Sequence, residues 1–214
     1  YTLYPASIND SGQVQVLTFD VPYPYTLYPA SINDSGQVTG SYSSGLVPYQ
    51  VHHGFLYNGD TVTTLDIPGA MSTVAYSINA SGQVAGDYCN VAGGRPGPRD
   101  CHGFIYSGGA FTIFFDAPGA APISATSINA CGQVAGTYWY AAGSHGFVYS
   151  NGTFTTVAVP GATNTGVTSI NASGQVTGSY SDGSHTRGFI ATPVCVTPTV
   201  AIHTLTTAPN GGFR

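Results

Sequence analysis

Charge is the scarcest commodity in this sequence of 214 residues, of which only 6% are Asp, Glu, Lys or Arg. Lysine and glutamate are missing altogether: the bases are Arg95, Arg99, Arg187 and Arg214, and all nine acidic residues are aspartate. Lys and Glu are the residues that cover solvent-facing helices, so their lack argues against a helix-rich fold. A basic face is lacking too, which excludes nucleic acid as a partner. No run of about eighteen apolar residues occurs, so no helix is expected to span a membrane. No G-x-S-x-G elbow or phosphate-binding loop appears, and the chain is expected to have no catalytic residue and no cofactor. The chain opens at Tyr1 without methionine or leader segment, which reads as a processed or fragmentary chain.

What is abundant is a repeat. Ser77-Ile78-Asn79-Ala80-Ser81-Gly82-Gln83-Val84-Ala85-Gly86 recurs with small changes from Ser7, Ser31, Ser127 and Ser169. A longer unit surrounds it. From His102 it runs His-Gly-Phe-Ile-Tyr, a Ser-Gly-Gly turn, Phe111 to Phe115, Asp116-Ala117-Pro118-Gly119-Ala120, Ile123 to Ile128, an Asn129-Ala130-Cys131-Gly132 turn, then Gln133 to Tyr138. Equivalent units start at His53, His145 and Arg187, at spacings of 49, 43 and 42 residues. Each holds four short β-rich runs divided by Gly, Pro or Asn, which is the signature of a four-stranded propeller blade. Asn-x-Ser-Gly suits a hairpin loop, with Asn capping through its side chain and Gly supplying positive φ. Pro68-Gly69, Pro118-Gly119 and Pro160-Gly161 close a strand where proline cannot extend the ladder.

The expected architecture is therefore all-β: a small propeller over residues 1–193, with units near 15–52, 53–101, 102–144 and 145–186 and a closing strand at 187–193. Five turn motifs suggest five blades, and the strand count suits four. Tyr1–Val14 is repeated without change as Tyr25–Val38, and Arg187 begins a unit lacking its later strands. A composite blade built from N- and C-terminal strands would absorb both irregularities and remove exposed edges. The tail 194–214 would then complete the last blade.

Four cysteines stand at 89, 101, 131 and 195. Cys89 and Cys101 bracket a Gly/Pro-rich insertion found in no other unit, and a disulfide between them would close that loop. Such a bond points to an oxidising compartment. Without a C-x-x-C pair or a clustered ligand set, a metal site is not expected.

The linked motifs H-G-F-x-Y, F-T-T-x-D-x-P-G-A and S-I-N-x-S-G-Q-V-x-G-x-Y resemble the HAF-type extracellular repeat of bacterial secreted proteins, over about residues 15–193. The resemblance implies secretion and a propeller-like fold.

Two constellations invite a functional reading. His53, His102 and His145 recur, with Arg187 in fourth place; a residue needed once per blade repeats, so pinning the blade to a neighbouring backbone or Asp is the expectation. Asp20, Asp66 and Asp116 share one repeat position, held by Ala158 in the fourth, and are expected to cap the Pro-Gly turn or partner the histidine. The second constellation is aromatic. Tyr42, Tyr88, Tyr138 and Tyr180 end successive strands and Trp139 extends one of them, a pattern suited to stacking on sugar rings or contacting proteins. The expected function is a secreted, non-enzymatic binding or scaffold module for glycans or extracellular proteins. The alternative is a self-assembling extracellular structural protein, a fibre or oligomer formed by strand exchange at the termini.

Overall fold

The computed structural model describes residues 19–21, 26–45, 50–90, 100–114, 123–193 and, as backbone, 200–204. The duplicate Tyr1–Val14, the arginines at 95, 99 and 214, Asp116 and Cys195 lie outside them. Every regular element among the described residues is a strand.

Sixteen strands fall into four consecutive four-stranded antiparallel meanders, here called blades. The first holds β1 (Thr26–Ile32), β2 (Val38–Ser44), β3 (Val51–Tyr57) and β4 (Val62–Leu65). The second holds β5 (Ser72–Ile78), β6 (Val84–Cys89), β7 (Cys101–Ser107) and β8 (Ala110–Phe114). The third holds β9 (Ile123–Ile128), β10 (Val134–Tyr140), β11 (Gly143–Ser150) and β12 (Thr153–Val157). The fourth holds β13 (Asn164–Ile170), β14 (Val176–Ser181), β15 (Thr186–Pro193) and β16 (Val200–Thr204). The last two blades meet at one parallel bridge, Ser144 to Asn164.

Two points differ from the sequence reading. The sheets start at the Ser-Ile-Asn strand, two strands ahead of the His-Gly-Phe start of the sequence units, because the Pro-Gly link carries the chain from one sheet to the next. Each described blade is also built from consecutive strands, and the tail supplies β16; no blade among the described residues combines N- and C-terminal strands.

Inside each blade a phenylalanine of the third strand faces a glycine of the second: Phe55 opposite Gly40, Phe104 opposite Gly86, Phe147 opposite Gly136 and Phe189 opposite Gly178. All four rings are fully buried. A Cβ at Gly136 would collide with the Ser124 carbonyl oxygen and with the Phe147 ring, so this position admits only glycine. The spacing Val-x-Gly and the His-Gly-Phe motif are thus two halves of one packing unit.

The Asn turn has a second task besides turning the chain. Asn79 Oδ1 accepts from the Ser81 and Gln83 backbone N–H groups at 3.1 and 2.9 Å, closing the loop. Its amide donates to Gln83 Oε1 at 2.8 Å and to the backbone carbonyl of Asn129, in the next blade, at 2.9 Å. Asn33 donates in the same way to the Asn79 carbonyl and Asn129 to the Asn171 carbonyl, each at 3.0 Å. Beside this relay, the Ile78, Ile128 and Ile170 N–H groups donate to Ser31, Ser77 and Ser127 Oγ of the preceding blade. Every residue of Ser-Ile-Asn therefore contributes to coupling adjacent blades. Apolar contacts complete the interfaces, as where Phe114 stacks on Tyr149 with centroids 4.5 Å apart. Phe19 stacks on Tyr57 at 4.4 Å, so the chain before β1 covers the first blade in the same manner.

Cys89 and Cys101 are directly paired across β6 and β7 and joined by a disulfide, as the sequence suggested. Replacing both with serine is expected to lower the unfolding free energy by about 2 kcal/mol, toward the low end for so short a loop. Urea unfolding of the oxidised protein and of the double variant measures it; equal midpoints would refute the expectation.

Candidate functional site

The meander gives each blade two unlike edges. One carries the first-to-second-strand loops, the Asn turns, five residues long in every blade. The opposite edge carries the second-to-third-strand loops, which contain six, eleven, two and four residues in blade order. The Pro-Gly links and the Ser144–Asn164 bridge also lie on this edge, but the second-to-third-strand loops themselves carry no turn motif shared between blades. Binding residues concentrate on variable loops held by a rigid scaffold, and this edge is the candidate site.

The predicted aromatics sit at its rim and are not equivalent. Tyr42, Tyr88 and Tyr138 are only 6, 7 and 8% exposed, so their rings cannot serve as stacking platforms. The reason is pairing: each lies opposite the repeated histidine, at ring separations of 5.0, 5.3 and 5.7 Å from His53, His102 and His145. Tyr42 and Tyr138 also hydrogen-bond Thr64 and Thr156 at 3.1 Å, anchoring the fourth strand. Tyr180 is half-buried and pairs with Arg187. Trp139, by contrast, points to the other sheet face and is 41% exposed. The site inferred from sequence therefore contracts to Trp139, with Tyr180 partly available.

Two of the repeated histidines, His53 and His102, pair with an aspartate of their own blades. His53 Nδ1–H donates to Asp66 Oδ2 at 2.8 Å, and His102 Nε2–H to Asp100 Oδ1 at 2.8 Å. In the fourth blade Arg187 Nη1 donates to Asp182 Oδ2 at 2.8 Å. Among the described residues no group of three His, Cys, Asp or Glu is placed to hold a metal. The Asn90 amide, with His102 beside it, holds the Asp100 carboxyl below the usual carboxylate range. Backbone N–H groups of His185 and Ser184, aided by Arg187, do the same for Asp182. Burial, with His53 alongside, lowers His52 from the usual 6.5 and favours its neutral form.

Ser44 Oγ lies 2.8 Å from His53 Nε2, so Ser44, His53 and Asp66 stand in a row. The order matches a hydrolase relay, in which the carboxylate is buried behind the imidazole. Here the Asp66 side chain is 45% exposed, and water screens its charge.

Sequence reasoning foresaw Asp66 as a histidine partner. It missed Asp100, Asp182 and Ser44, because loops of unequal length cannot be aligned by repeat spacing. The inter-blade task of the Asn turn was hidden for another reason: the motif explains itself locally as a hairpin.

No helix among the described residues is long and apolar enough to cross a membrane. No family model and no curated protein matches the sequence. Among solved structures, the β-propeller domain of the Trilobed protease from Pyrococcus furiosus, described as having an open velcro topology, is similar with a TM-score of 0.56 at 10% identity. The likeness covers 94% of this chain and 60% of that one, so the chain spans less than two thirds of the propeller it matches. At that identity only the fold transfers. The chain is an all-β protein with the β-propeller fold.

Proposed function

We propose that the protein is a secreted, non-enzymatic binding or scaffold module that engages glycans through the variable edge of its blades. One observation carries the reading: the loops of one edge are uniform and bound into blade coupling, while those of the other differ in length and chemistry and present Trp139. The disulfide and the resemblance to HAF-type extracellular repeats support an extracellular setting. A glycan array followed by calorimetry tests the reading. Trp139→Ala is expected to weaken binding about tenfold, the scale of one aromatic contact, with the unfolding transition unchanged. Undiminished affinity would overturn the assignment of Trp139. Covalent labelling of Ser44 by a fluorophosphonate would overturn the non-enzymatic part.

Self-association is the second reading, and the end blades favour it. Ile32 is 46% exposed, whereas its repeat equivalents Ile78, Ile128 and Ile170 are each 6% exposed against the preceding blade. Asn171 is exposed, with a side chain equivalent to those that clasp the following blade elsewhere. These faces are complementary, so copies would join blade to blade, a head-to-tail contact that extends unless it closes a ring. Sedimentation at increasing concentration separates the readings, since a fixed monomer mass contradicts this one.

A further inference from the structure

The start of the third strand carries the same chemistry in three blades, reached by different routes. His53 faces Asp66, His102 faces Asp100 and Arg187 faces Asp182, each pair at 2.8 Å. Asp66 follows the fourth strand, whereas Asp100 and Asp182 belong to the second-to-third-strand loops. Acids from different segments thus stand beside the nitrogen base of each of these blades, on Nδ1 in His53, on Nε2 in His102 and on the guanidinium of Arg187.

In the third blade the base is present and both sources of acid are missing. Ala158 stands at the repeat position of Asp66, and the two-residue loop is Ala141-Ala142. Among the described residues His145 Nδ1 is buried without a hydrogen-bond partner, as is His52 Nδ1, which precedes the repeated histidine of the first blade. A buried polar atom in that state costs about 1–3 kcal/mol, which a bound partner would recover. Its neighbours do not supply one: the Tyr138 hydroxyl is engaged with Thr156 Oγ1 at 3.1 Å. Tyr140 lies over the imidazole with ring centroids 4.7 Å apart. Tyr140 is half-buried and is followed by the exposed Ala141 and Ala142, so a ligand would reach the imidazole from the open loop side by displacing the Tyr140 ring.

We propose that the His145 slot of the third blade binds a carboxylate from outside the chain, supplied by an acidic sugar of the uronate class. The imidazole takes the carboxylate as His53 takes Asp66, and Tyr140 packs on the sugar ring. The sugar assignment rests on the glycan-binding function proposed above; the carboxylate assignment rests on the repeat comparison alone.

The test is a titration of the intact protein with glucuronate, acetate and glucose, following the His145 imidazole resonances by NMR. Saturable shifts with glucuronate and acetate, and none with glucose, are expected. Ala158→Asp, which restores the internal partner, is expected to weaken the response to both acids at least about tenfold. A response to acetate without one to glucuronate would overturn the sugar class while leaving glycan binding at Trp139 unaffected. No saturable shift with either acid, or an undiminished one in a folded Ala158→Asp variant, would overturn the site itself. Array binding to glycans with His145 silent to both acids would reject this site and spare the function proposed above.

Discussion

Truncating Phe147 to alanine is expected to lower the unfolding free energy by about 3–5 kcal/mol, the range for deleting a buried phenylalanine. The site has little means of collapsing. The ring lies on Gly136, which has no side chain to advance, and the flanking backbones are held in ladder register on both sides. Phe154 and Phe114, with centroids 5.0 and 6.2 Å away, line the space left behind. Phe114 belongs to the preceding blade, so the loss spreads across an interface and cooperativity suffers as well as stability. Urea unfolding monitored by tyrosine fluorescence reads both quantities. A loss under about 1 kcal/mol would mean that the Gly–Phe pair is not the centre of blade packing.

The second large effect is expected at Asn79. Alanine there removes two bonds that close the turn, one to Gln83 and one to the Asn129 carbonyl. With Asn79 and Asn129 both buried, the stranded carbonyl and N–H groups lose protein partners without gaining water. A total of about 3 kcal/mol follows from net values near 1 kcal/mol per bond plus the penalty for unsatisfied groups. Asn171→Ala is the informative control. Asn171 makes the same turn bonds, but it is exposed and its amide bonds only Gln175. It should cost about 1 kcal/mol. Equal losses at the two positions would show that the motif serves its own hairpin and that the clasp between blades adds nothing.

Much of this architecture was legible from the order of residues. Short β-rich runs, Asn-x-Ser-Gly turns and Pro-Gly links each specify a strand or its end by local chemistry, and local chemistry survives folding. The Cys89–Cys101 bond was legible for a similar reason, since an insertion between paired strands must return to its start. The phase of the sheets was harder, although Pro68 and Pro160 mark the break: a repeat has no intrinsic first strand, and only ladder pairing decides. The role of the tyrosines was not legible, because an aromatic at a strand end looks the same whether its ring meets solvent or a histidine across the ladder. Tyr138 and Trp139 are neighbours in sequence and point to opposite sheet faces, one enclosed and one open. The unpaired state of His145 has two causes, of which one is legible in the repeat, where Ala158 stands in place of aspartate, and the other only in the fold, where the Ala141-Ala142 loop brings no acid beside the imidazole.

The unequal loops have a consequence for how such a scaffold diversifies. Tyr42 pairs with His53, Tyr88 with His102 and Tyr138 with His145, although 11, 14 and 7 residues separate the partners along the chain. The Tyr–His rung is kept in every one of these blades, and the ladder runs one or two pairs beyond it before the loop begins. Foreign segments grafted between Cys89 and Cys101, or between Tyr140 and Gly143, should therefore alter recognition without disturbing the fold, and mutation can explore new specificities on one rim while selection preserves the other.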